Sequence, residues 1–416
     1  MNANPKDKNQ SSSTKTAHSK TQGVGRLTID AVLAITDIVE SMHKRVSPLS
    51  ALKSATEKER LSGISGLVYR NIRNVTELVG KSIDTPLAAI SKTLASQPDS
   101  TSTQSLLAAL NGVLGDYLLA SDNSLAIPMH FRRNGNTLND EQLLDVINQS
   151  EGKLLIMLHG LCMNDMQWCR EGHDHGAELE KELGMGAIYL HYNSGLHISD
   201  NGKQFADLLQ SLVDLTDKQL DINILAHSMG GLVSRSAFHV AENSGHRWPA
   251  MLKKLVFLGT PHHGAALEKA GNWIDLILGA HSYTVPFARL VKVRSSGITD
   301  LRYGNVQESD WHTTERFEFS GDQRLPLPLP HSVQCFAVAS SAKESINYPL
   351  GDGLVRIQSA LGEHQDPDFN LRIPDNRQWI GTNINHMQLL SDINVYACLF
   401  YTSAAADALL CVYLAV

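Results

Sequence analysis

The run from Ile222 to Ala237 constrains the fold more than any other part of the chain. Ile222, Ile224 and Leu225 read as a buried strand, and Ala226-His227-Ser228-Met229-Gly230 is a small-x-Ser-x-Gly turn. Gly231-Leu232-Val233-Ser234-Arg235-Ser236-Ala237 then begins a helical pattern. A serine on a tight strand-to-helix turn has its hydroxyl lifted above the sheet, the geometry of a nucleophile elbow. Backbone crowds such a turn, so its flanks must be small. Gly230 has no side chain; Ala226, where glycine is usual, has only a methyl. The five-residue pattern alone arises often by chance, and a helix N-cap serine would look the same. The strand before it, the helix after it and the partners elsewhere give it weight.

Those partners come in a specific order. Lys153-Leu154-Leu155-Ile156-Met157-Leu158 is an apolar strand ending in His159-Gly160-Leu161. Leu255-Val256-Phe257-Leu258 is another, followed by Gly259-Thr260-Pro261-His262-His263-Gly264. A further strand, Val333 to Ala339, leads to Gly351-Asp352-Gly353-Leu354-Val355. An aspartate between glycines just past a strand can reach a histidine without steric shielding, although a plain turn would have the same composition. The histidine is His386, in a polar loop before an apolar stretch. The order Ser228, Asp352, His386 is one of three unrelated orders known for a Ser-His-Asp triad.

These segments, with Tyr192-Asn193-Ser194-Gly195 and Asn385-His386-Met387, resemble the α/β-hydrolase superfamily of lipases and esterases over roughly residues 125–400. The similarity is nearest to the branch that includes GPI inositol-deacylase-like and small bacterial lipase-like proteins. It implies an α/β fold with a mainly parallel central sheet, Ser228, Asp352 and His386 as a catalytic triad, and an oxyanion hole from the N–H groups of Met229 and Leu161. A substrate site is expected at His159, Gly160 and His227, and, because residues 265–332 hold the apolar surplus, at Trp273. No cofactor is required. The expected activity is hydrolysis of carboxylic esters of lipid or acyl type through an acyl-enzyme; an acyltransferase would use the same triad. A non-catalytic lipid-binding scaffold would have no need of the three residues in register.

Composition fits this reading. Hydrophobic residues make up 42% of 416, and no apolar run reaches the roughly 18 residues of a membrane span. The first residues begin no apolar signal stretch, so a cytoplasmic protein is expected. The net charge of −7 disfavours nucleic acid as the main partner. Five cysteines show no paired or metal spacing, and a Cys162–Cys169 disulfide is set aside because nothing points to export. His173-Asp174-His175 and His262-His263 have ligand chemistry, but short pairs do not converge as a metal site must, so no metal is expected.

The chain parses into four parts. Residues 1–24 are polar and expected to be disordered. Residues 25–122 show helical periodicity, as in Ile64 to Val79 and in Leu106, Leu107, Leu110, Val113, Leu114, Tyr117 and Leu118. These stripes need an apolar counterpart: the catalytic domain, each other, or, given Tyr69, Arg70 and Arg73, a peripheral membrane contact. Residues 123–400 form the catalytic domain, interrupted at about 265–332 by an apolar insert with Trp273, too long for an ordinary connection and expected to be a cap or lid. Residues 401–416 close the chain. Composition leaves the oligomeric state open.

Overall fold

The computed structural model describes residues 100–265, 295–312 and 324–404. Trp273, the 1–24 tail, the stripe Ile64 to Val79 and most of the insert lie outside the described residues.

From Gln104 onward the described elements belong to one compact unit. Its centre is an eight-stranded sheet in the order β2-β1-β4-β3-β5-β6-β7-β8. The strands are β1 (His130–Arg133), β2 (Asn136–Thr137), β3 (Lys153–Leu158), β4 (Gly186–His191), β5 (Asp221–His227), β6 (Leu252–Leu258), β7 (Gln334–Ser341) and β8 (Gln378–Thr382). The last six are parallel, and β1 joins β4 antiparallel as half of a hairpin with β2. Strands buried on both faces read as continuous apolar runs, which is why β3 and β4 are apolar almost throughout and buried on both faces.

Helices alternate with the strands. Apart from a single turn at Ser309–His312, they are α1 (Thr101–Ala120), α2 (Asp140–Gln149), α3 (His175–Leu183), α4 (Ile198–Asp214), α5 (Met229–Ser244), α6 (Ser296–Tyr303), α7 (Ile357–Leu361) and α8 (Ile393–Ala404). Local sequence sets their ends. Asn139 and Gln142 form a reciprocal capping box at the start of α2. Asp174 accepts from Gly176 and Ala177 N–H at the start of α3, and Gly184 ends it in the left-handed conformation. On one face of the sheet, Leu155, Met157, Tyr189, Leu225, Val256 and Phe336 meet Leu179 of α3 and Val395 and Leu399 of α8. Phe205 and Leu209 of α4 are buried, as are Leu232 and Val233 of α5. The strand order, the parallel core and the serine turn after β5 make this the α/β-hydrolase fold.

Helix α1 lies against the loops that follow β3 and β4. A Cβ on Gly112 would fall 2.3 Å from Cys162 Sγ, and one on Gly115 only 1.8 Å from Asn193 Oδ1. Neither position has room for a side chain. Asn193 Nδ2 donates to the Gly115 carbonyl at 3.0 Å, and Asn111 ties the helix to Leu125 and Ile127. The described part of the insert is packed too. Asp300 of α6 is fully buried, and its Oδ2 accepts from His197 Nδ1 and from the Ile198 N–H at the start of α4, each at 2.9 Å. Among the described residues no helix is long and apolar enough to cross a membrane.

Candidate active site

Strand β5 ends at His227 and α5 begins at Met229, so Ser228 is the single residue of the turn. Its backbone sits at φ 55°, ψ −121°, a region that a non-glycine residue occupies at a cost of about 1–3 kcal/mol. The surrounding bonds hold it there: Ser228 N–H donates to the Leu258 carbonyl of β6 at 2.8 Å, and the Ser228 carbonyl accepts from Gly231 N–H at 3.1 Å. The loop after β3 presses on the same residue. A Cβ on Gly160 would lie 3.1 Å from Ser228 Cβ and 3.2 Å from His227 Nδ1.

Asp352 and His386 come together from the loops beyond β7 and β8. His386 Nδ1 lies 2.6 Å from Asp352 Oδ2, both side chains being 1% exposed. The other carboxylate oxygen, Oδ1, accepts the N–H groups of Leu354 at 2.9 Å and Val355 at 2.8 Å. The backbone repeats the link, with His386 N–H donating to the Asp352 carbonyl at 3.0 Å. With Nδ1–H directed at a carboxylate, the lone pair of His386 is on Nε2, and that atom is buried without a hydrogen-bond partner among the described residues. Asp366 and Asp368, which also separate β7 from His386, are exposed and bond only locally.

His227 is fully buried. Its ring centroid is 4.6 Å from that of His386, and its Nε2 is 3.1 Å from the His386 carbonyl oxygen. Burial, and then the nearness of His386, hold its pKa well below the ordinary histidine value, so it is neutral. His159, also fully buried, stacks on Tyr192 at 4.2 Å, and the Tyr192 hydroxyl donates to the His159 carbonyl at 2.7 Å. Burial lowers the His159 pKa to about 3. These two histidines bond to the frame of the site rather than opening onto its surface.

Leu161 and Met229 are buried, and among the described residues neither N–H donates to a protein acceptor. A pair of unengaged N–H groups, one following β3 and one beginning α5, is the arrangement that can bind a developing oxyanion. Sequence reading missed what anchors the first of these loops. Asp165, four residues past Leu161, is buried and pairs with Arg132 of β1 at 2.7 Å, with His191 of β4 at 3.3 Å. Burial pushes the Asp165 carboxyl up, but His191 and the Arg132 guanidinium outweigh it and hold it below its usual range. An Arg on one strand and an Asp in a polar loop give no pattern from which such a pairing could be read. The Ser194 hydroxyl, from the Tyr192–Gly195 segment, accepts from Cys162 N–H at 3.0 Å and so braces the same loop. Cys162 and Cys169 are free thiols. Among the described residues no cluster of three or more histidine, cysteine or acidic side chains is arranged to hold a metal.

A family model described as "Domain of unknown function (DUF7379)" matches residues 123–297. No curated protein sequence matches the chain. Similar solved structures include the mature form of the Bacillus licheniformis lipase BlEst2, at 17% identity and a TM-score of 0.37, covering 60% of this chain and 92% of that one. Aspergillus fumigatus lipase B is similar at 9% identity and a TM-score of 0.40, with 68% of this chain and 56% of that one covered. An esterase of Pyrobaculum calidifontis is similar at 11% identity and a TM-score of 0.35, with coverages of 64% and 91%.

Proposed function

We propose that this chain is a serine hydrolase that cleaves carboxylic esters of lipid or acyl character, with Ser228 as nucleophile, His386 as base and Asp352 as its partner. One observation carries the reading: a buried Asp352–His386 pair with one carboxylate oxygen on the ring and the other on two backbone N–H groups, beside a serine on a strained turn.

In this mechanism the Ser228 oxygen adds to the ester carbonyl carbon while its proton passes to His386 Nε2. Asp352 fixes the tautomer and stabilises the imidazolium. The N–H groups of Met229 and Leu161 bind the oxyanion, each worth about 2.7–4 kcal/mol of barrier. His386 then protonates the departing alcohol, and water, deprotonated by the same ring, releases the acid and frees Ser228. No cofactor takes part. The catalytic portion is residues 123–400, with Trp273 of the insert against the acyl chain. The ester is of the kind handled by the GPI inositol-deacylase-like and bacterial lipase-like branch.

The test is reaction of the purified chain with a fluorophosphonate probe and with p-nitrophenyl esters from acetate to palmitate. Labelling at Ser228 together with turnover supports the reading. No labelling and no turnover would leave a binding protein as the better account.

A further inference from the structure

The segments that lead into β7 and β8 are rich in proline: Pro326, Pro328 and Pro330 come before β7, Pro367 and Pro374 before β8. All of them line one cavity of about 640 Å³. That volume falls within the roughly 300–1,000 Å³ of small-molecule sites. The floor of the cavity is apolar, formed by Val333, Cys335, Leu371 and Ile373, which are all buried. Burial pushes the Cys335 thiol up to about 12, so it is uncharged. The proline rings fix φ along the walls, so little freedom is lost when a ligand enters.

Two cations stand at the edge of this floor. Arg372 and Arg377 line the same cavity, and among the described residues neither guanidinium has a carboxylate within ion-pair distance. The Arg377 guanidinium lies over the Phe336 ring, 5.6 Å from its centroid, which orients the group without neutralising it. Arg372 has its backbone at φ 52°, a conformation that a non-glycine residue holds at a cost, and its N–H donates to Asn370 Oδ1 at 2.9 Å. Apart from His331, the only other charged residue of the lining is Asp368. Two guanidinium groups therefore face one carboxylate beside an apolar floor. An inorganic anion would leave the floor bare, and a neutral apolar molecule would leave both arginines unpaired. A molecule with an anionic head and an apolar body satisfies both, and the planar guanidinium fork suits a carboxylate.

We propose that this cavity binds an amphiphile with one carboxylate head and an acyl body, the head on Arg372 and Arg377 and the chain along Val333, Leu371 and Ile373. The site is separate from the serine turn. The cavity sits at the amino ends of β7 and β8, whereas Asp352 and His386 follow their carboxyl ends, and β7 alone is about 25 Å long. The proposal does not depend on the chain being an esterase.

Calorimetric titration of the full-length chain with decanoate, decanol, acetate and decyl phosphate tests it. Decanoate should bind at least about tenfold tighter than decanol or acetate, the worth of a charge-assisted hydrogen bond. Decyl phosphate separates a free acid from a phospholipid headgroup as the source of the anion: weaker binding than decanoate supports the carboxylate, and equal or tighter binding overturns it. Arg372→Gln and Arg377→Gln should each weaken decanoate about tenfold or more. If Arg377→Gln does not fold, Arg372→Gln, at an exposed position, decides. Crystals soaked in 10-bromodecanoate should show the bromine against Val333, Leu371 or Ile373. Equal affinity for decanoate and decanol, decanoate binding that Arg372→Gln retains in full, or bromine found only elsewhere in the chain would each overturn the proposal.

Discussion

His227 Nε2 donates to the main-chain carbonyl of His386 across 3.1 Å. A carbonyl can only accept, so this bond fixes the His227 tautomer with its proton on Nε2. It also means that His386 is held on three sides: its N–H and Nδ1 by Asp352, its carbonyl by His227. His227, the residue before Ser228, therefore helps to hold the His386 imidazole in place.

Replacing His227 by Phe should free that carbonyl and let the imidazole drift. A displacement on the order of 1 Å costs about 10²-fold in rate. We expect kcat to fall by roughly that factor with KM little changed, while His227→Gln, which can still donate, recovers part of the loss. An effect confined to KM would assign His227 to substrate contact instead.

The strain at Ser228 makes a separate prediction. Ser228→Ala should abolish fluorophosphonate labelling but leave stability close to the parent, because alanine shares the penalty at φ 55°. Ser228→Gly should abolish labelling and also raise stability by about 1 kcal/mol, read as a higher urea midpoint. Labelling that survives either change would point to Ser234 or Ser236. Ser234 already donates its hydroxyl to the Gly230 carbonyl at 2.8 Å.

Asp352→Asn keeps the shape of the turn but presents the wrong partner to His386. By analogy with serine proteases kcat should fall about 10⁴-fold. Asp366→Asn and Asp368→Asn should be near neutral, since both side chains are exposed. Steady-state kinetics on a short-chain p-nitrophenyl ester separates the three.

Acid should destabilise the chain before its carboxylates titrate. Burial depresses His159 to about 3 and His175 to about 4, and holds His227 and His262 well below 6.5. Between those values and 6.5 the unfolded chain binds protons that the folded chain does not. Stability is therefore full above pH 6.5 and falls as pH drops toward 4. Each such histidine adds a slope approaching about 1.4 kcal/mol per pH unit. Urea unfolding at pH 7.5, 6 and 5 measures it; a flat profile would contradict the burial of these rings as neutral groups.

The close fit of α1 offers a further test. Gly112→Ala would drive a methyl against Cys162, one residue from the Leu161 N–H. Activity should fall by about ten- to a hundredfold with secondary structure retained by circular dichroism.

The parallel core was legible where its inner strands are apolar runs: Leu154–Leu158 and Leu255–Leu258 both fall within strands. The serine turn and the helix of Leu106 to Leu118 were legible for similar reasons of period and punctuation. Strand β8 was not. Gln378-Trp379-Ile380-Gly381-Thr382 is an edge strand, and only Gly381 in it is buried, so it has no apolar run to betray it. The Arg132–Asp165 pairing and the His227 bond were hidden for another reason: both join residues distant in sequence through single polar contacts, and no local spacing encodes them.

That edge position has a bearing on how the chain comes apart. Ser228 directly follows β5, held by strands on both sides, whereas His386 follows β8, which among the described residues pairs with β7 alone. Edge elements with exposed backbone open at lower free energy than central ones. On warming, the outermost strand should therefore peel first, carrying His386 away from a serine turn that is still folded. Loss of turnover would then precede loss of helical signal, and the heat-inactivated chain would recover on cooling for as long as its centre had not melted.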